Sequence, residues 1–132
     1  MPEWYEQDPG RLAVEKHLMM RHYPQSVLVK LGGLIRSCIN IEGEFACYRL
    51  EVVLPKRFPC NQPKAFIRAP NLKSGCLHRF PDGSLCLYHG SEAGRQTSVK
   101  VITDWSVMYV AAYEKWVKTG RWPEPEQVLK NM

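Results

Sequence analysis

The 132-residue chain, 45% apolar and 23% charged, suits a single globular domain over residues 1–132, large enough to bury a core without covalent staples. It has no apolar run near the roughly 20 residues of a membrane helix, and its acidic, polar start MPEWYEQDPG lacks the segments of a secretory signal, so a cytoplasmic protein with no membrane association is expected. The formal charge of +5 comes from scattered bases, with Lys56-Arg57, Lys64 and Arg68 the nearest to a cluster; this argues against a nucleic-acid partner and allows an acidic protein partner.

In chain order, DPGRLAVEKHLMMRHYP predicts a first helix, capped by Asp8, with Pro9 in its first turn and Pro24 at its end. Leu12, Leu18, Met19 and the aliphatic part of Lys16 supply its expected buried stripe. Trp4 and Tyr5 precede it and either fold back or meet a partner. The stretch VLVKLGGLIRSCINI is rich in β-branched residues, with Leu34, Arg36, Cys38 and Asn40 alternating against Ile35, Ser37, Ile39 and Ile41. A turn at 42–44 leads to FACYRLEVVLP, where Tyr48, Leu50, Val52 and Leu54 alternate with Arg49, Glu51 and Val53. KAFIRAP is a further strand, stopped by Pro70. Turns this short argue for an antiparallel meander. Pro55, Pro59 and Pro63 keep the connection before the last strand out of any central ladder.

Residues 71–103 read as one long irregular loop, of the kind that is often functional. Its apolar residues Cys76, Leu77, Leu85, Cys86, Leu87 and Tyr88 predict that its first half packs on the body. A final long helix is expected from Thr103 or Asp104, burying Trp105, Met108, Tyr109, Ala112 and Trp116, with Lys115 and Lys118 near its C-terminal end and Gly120 as its stop. RWPEPEQVLKNM adds at most a short turn or helix. The order of helix, strands, loop and helix defines an α+β domain with helices on or beside one sheet.

The chemistry concentrates in HRFPDGSLCLYH, residues 78–89. Cys86 has three readings. Between two leucines it fits packing, as cysteine commonly does in a reducing compartment, and the odd count of five cysteines argues against a secreted disulfide framework. With Cys76, His78 and His89 it offers zinc-type ligands, although the spacing departs from the common fingers. After the PDGS turn, with His78 nearby, it fits an exposed nucleophile.

YRLEVVLPKRFPCNQPKAFIRAP, then HRFPDGSLCL, then DW opening a helix, together resemble the ubiquitin-conjugating enzyme family over about residues 10–120. Phe58-Pro59 and Pro63 match its proline-rich turn, and His78 takes the place of its loop histidine. Gly83-Ser84-Leu85-Cys86-Leu87 matches its active-site segment, and Trp105 its later tryptophan. Three departures stand out. Arg79-Phe80 follows His78 where the family has proline and asparagine, the interval from His78 to Cys86 is shorter, and too little chain follows Gly120 for the two further helices of the eukaryotic fold.

This compact form is most similar to the bacterial conjugating-enzyme-like proteins of CBASS antiphage operons. The resemblance implies a compact fold with an N-terminal helix, a four-stranded antiparallel meander, a long active-site loop and a C-terminal helix. It implies a Cys86 thioester with the C-terminus of a cGAS-like nucleotidyltransferase, passed on to an amine without a cofactor. His78 would act with Cys86 or anchor the loop, the amides of Gly83–Leu87 or His78 would face an oxyanion, and Gly83, Ser84, Leu85, Tyr88 and His89 would meet the partner's tail. The same scaffold also serves as a non-catalytic binding module, which the missing asparagine favours and the retained cysteine does not.

Overall fold

In the structure, a computed structural model that describes residues 2–87 and 97–123, Asp8 caps a helix as its short acceptor side chain predicts. Its carboxylate accepts the Arg11 N–H at 3.0 Å, Pro9 occupies the first turn, and α2 runs Pro9–His22. A short helix, α1 (Trp4–Gln7), precedes it and was not expected. Trp4 folds back, 8% exposed, with its ring 4.8 Å from Phe58 in an edge contact.

The buried stripe of α2 differs from the expected one. Glu15 and Met19 are buried, Leu12 and Leu18 are half-buried, and Lys16 is exposed. Glu15 is inside because it has backbone to satisfy: its carboxylate accepts the Val99 N–H at 2.7 Å and pairs with Arg11 at 3.3 Å. A buried carboxylate is tolerable only with such partners.

Burial still pushes the Glu15 carboxyl above its usual range, outweighing the Val99 amide and the Arg11 guanidinium that pull it down. A carboxyl raised by folding favours the folded state most below its unfolded value, and that contribution is lost as pH rises through the folded one. Wild type should therefore lose thermal stability relative to Glu15→Gln, which keeps an acceptor for Val99, as pH rises from about 4 to about 7. Differential scanning calorimetry of both proteins at each pH checks the sign.

The meander forms as predicted. β1 (Val27–Leu31), β2 (Leu34–Glu42), β3 (Cys47–Val53) and β4 (Lys64–Ala69) lie side by side in chain order, all antiparallel. Two-residue alternation puts Ile35, Ser37, Ile39 and Ile41 of β2 and Tyr48, Leu50 and Val52 of β3 inside, with Leu54 just beyond. Leu50, Val52 and Leu54 are wholly buried. The opposite residues form the outer face, where Glu51 takes Arg36 at 3.1 Å and Arg68 at 2.7 Å. That leaves a two-layer domain with helices against one side of the sheet.

The last helix, α3 (Val99–Thr119), starts well before Thr103 or Asp104. Ser98 is its cap, accepting the Val101 N–H at 3.2 Å. The β-branched run VKVIT disguised the first turn, since those residues are poor helix formers; burial of Val99, Ile102 and Thr103 overrides the propensity. Asp104 lies within the helix, where it takes the Tyr23 hydroxyl and pairs with Lys100. The buried face is rotated from the expected one. Val99, Ile102, Ser106, Tyr109, Val110 and Tyr113 face inward, while Trp105, Met108 and Trp116 are only half-buried. Gly120, at φ 78°, ends the helix as expected.

A candidate active-site hairpin

The long loop is not structureless around its cysteine. Phe80-Pro81-Asp82-Gly83 closes a tight turn in which the Gly83 N–H donates to the Phe80 carbonyl at 2.9 Å. Gly83 has φ 91°, a conformation that L side chains adopt only with strain. Asp82 braces the turn: its carboxylate accepts the Ser84 N–H at 2.8 Å and the Ser84 hydroxyl at 2.6 Å, and pairs with Lys64 at 2.8 Å. The Lys64 ammonium and the Ser84 donors hold the Asp82 carboxyl well below the usual carboxylate range.

From that turn the two arms run antiparallel. The Phe80 N–H donates to the Ser84 carbonyl at 2.8 Å, Arg79 bridges Leu85, and the Cys86 N–H donates to the His78 carbonyl at 2.8 Å. The Leu85 N–H reaches the Ala65 carbonyl at 2.9 Å and ties the hairpin to β4. Leu85 turns inward, 4% exposed, while the next residue, Cys86, is half-buried with a free thiol. Cys86 and His78 thus face each other across the hairpin.

His78 is exposed and takes φ 59°, a left-handed conformation that costs about 1–3 kcal/mol for such a residue. Its ring lies 5.0 Å from that of Trp122. On the near side of the hairpin the Tyr109 hydroxyl of α3 donates to the Leu77 carbonyl at 2.7 Å and sits 3.0 Å from Cys76 Sγ. The Tyr113 hydroxyl accepts the Lys73 N–H at 2.8 Å. Two tyrosines of one helix therefore anchor the segment leading into the site. Sequence reasoning put Tyr109 on a buried face without finding that role, and it overlooked Trp122. A tyrosine on a buried helical stripe needs a partner for its hydroxyl, which is the signal that was available.

A groove of about 960 Å³ opens beside the hairpin. It is lined by Leu34, Val53 and Phe66 of the outer sheet face, by Pro55 and Lys56, and by Phe80, Asp82, Ser84 and Leu85 of the hairpin. Of the residues expected to meet a tail, Ser84 and Leu85 line this groove and Gly83 shapes its turn, with the Ser84 hydroxyl committed to Asp82. Tyr88 and His89 lie outside the described residues. So does one member of the zinc set, His89; among the described residues no group of three or more His, Cys, Asp or Glu side chains is arranged to hold a metal. Cys76, Cys86 and His78 belong to the same loop region, but Cys76 faces Tyr109. Among the described residues no helix is long and apolar enough to cross a membrane.

An N-terminal helix, a four-stranded antiparallel meander, a proline-rich connection, a hairpin carrying a half-buried cysteine and a closing helix make up a compact ubiquitin-conjugating-enzyme-like fold. A family model described as Type II CBASS E2 protein matches residues 15–129, and the chain belongs to that family. It therefore has a role in CBASS antiphage systems, alongside the partner proteins of such an operon. No curated protein matches the chain.

Proposed function

We propose that the protein carries an acyl group on Cys86. The thiolate attacks the activated C-terminal carbonyl of a cGAS-like nucleotidyltransferase, the activating group leaves, and a thioester forms. An amine then attacks that thioester, forms an amide and releases the Cys86 thiol. The observation that carries this reading is the placement of Cys86: half-buried, next to a residue that walls the groove, on a hairpin fixed by three backbone hydrogen bonds of its own and one to β4. An extended tail seated in the groove would pass Leu85 toward Cys86, and the apolar lining with Lys56 beside it suits an apolar tail with an acidic flank.

The hairpin also narrows the oxyanion donors. The amides of Gly83, Ser84, Leu85 and Cys86 are all committed, to Phe80, Asp82, Ala65 and His78. The proposed donors reduce to the Leu87 amide and the His78 imidazole. That same commitment favours a second reading, a binding module that holds the nucleotidyltransferase without chemistry. Non-reducing and reducing gels of the protein co-expressed with its partner separate the two. The carrier predicts an adduct lost on reduction and absent in Cys86→Ala; an undiminished complex in Cys86→Ala with no adduct in wild type would leave only binding.

A further inference from the structure

We infer that Trp122 and Tyr109 are positioning residues for the Cys86 hairpin, locking it through His78; the catalytic part of this inference rests on the acyl-carrier reading above. His78 is held from three sides. Before it, the Leu77 carbonyl takes the Tyr109 hydroxyl at 2.7 Å. After it, the His78 carbonyl takes the Cys86 N–H at 2.8 Å. Over it, the Trp122 ring stands 5.0 Å from the imidazole and 5.2 Å from the Tyr109 ring, so one indole touches both anchors. The half-buried Trp122 lies two residues past the helix stop at Gly120, and Pro123 beside it is buried, so the chain doubles back onto the site.

An exposed residue at φ 59° relaxes unless its surroundings hold it. The indole, the Tyr109 hydroxyl on Leu77 and the Cys86 amide are the restraints in place. Because the Cys86 amide bonds to His78, a shift in the His78 backbone passes directly to the residue carrying the thiol. The aromatic clamp supplies order to the loop from a segment beyond α3.

The test compares Trp122→Ala, Trp122→Phe and Tyr109→Phe in the full chain. Hydrogen exchange is read at the Cys86 amide without any acyl donor, and single-turnover release of a synthetic peptide thioester from Cys86 is read against increasing lysine. Trp122→Ala should speed Cys86 amide exchange and slow maximal transfer by about 10-fold each, with the lysine concentration for half-maximal rate unchanged. Exchange in β2 and β3 should stay as in wild type, and Trp122→Phe should restore most of both losses. Tyr109→Phe, which keeps the ring and removes the Leu77 bond, should give the same pattern more weakly. Unchanged exchange at Cys86 in Trp122→Ala would overturn the clamp, and so would a transfer loss that appears only in the half-maximal concentration. If wild type takes no acyl group, the carrier reading fails while exchange at Cys86 still decides the clamp.

Discussion

Cys86→Ser is expected to convert a reductant-labile adduct into one that survives reduction, and to slow its passage to an amine by about 100-fold, near 2.7 kcal/mol of barrier. A thiolate is both a better nucleophile and a better leaving group than an alkoxide, so the serine variant traps what the cysteine passes on. The surroundings favour the trap. Cys86 is only half-buried, and its amide is already held by His78, so exchanging sulfur for oxygen leaves the hairpin bonds intact. Quantitative gels over a time course, with and without reductant and added lysine, measure both effects.

The largest loss of stability is expected from Glu114→Ala. The Glu114 carboxylate is 6% exposed and accepts three donors from across the domain: the Glu44 N–H at 2.8 Å, the Phe45 N–H at 2.9 Å and the Tyr48 hydroxyl at 2.9 Å. It pins the β2–β3 turn to α3. The turn amides can find water once released, but the buried Tyr48 hydroxyl cannot, so truncation should cost about 3 kcal/mol. For a domain of this size that is roughly 10 °C in Tm. Glu114→Gln keeps one acceptor oxygen and should lose less than half as much. Gly43 belongs to the same unit, since a Cβ there would lie 2.5 Å from Glu114 Oε2. Thermal unfolding of the three proteins under one buffer checks the order.

These carboxylates mark where sequence reasoning stopped. The meander was legible because Tyr48, Leu50, Val52 and Leu54 alternate with polar neighbours, and a half-buried strand has no other way to satisfy that pattern. Asp8-Pro9 announced α2 for an equally local reason. Glu15 and Glu114 were illegible because charge normally signals solvent, and the donors that make their burial affordable sit in distant elements. The start of α3 was hidden by valines and isoleucine whose tertiary burial outweighs their weak helix preference.

At the site, Cys86 could be singled out only through the combined motifs around it, since a cysteine between leucines also describes ordinary packing. What distinguishes it is the hairpin: Ser84 and Leu85 are buried while Cys86 beside them is only half-buried, and the turn that sets that register depends on Gly83 and Asp82. His78 opposite Cys86 follows from the same register. Trp122 meets His78 only after the chain has left α3, a juxtaposition that no local pattern encodes.

Intact-mass spectrometry of the protein purified with its genomic neighbours, followed by peptide mapping, tests the central claim most directly. The account predicts a covalent species heavier by the partner polypeptide less one water, attached at Cys86 and cleaved by thiol or hydroxylamine. A protein that stays unmodified while its complex persists in Cys86→Ala, or that bears the attachment on another cysteine, would contradict it.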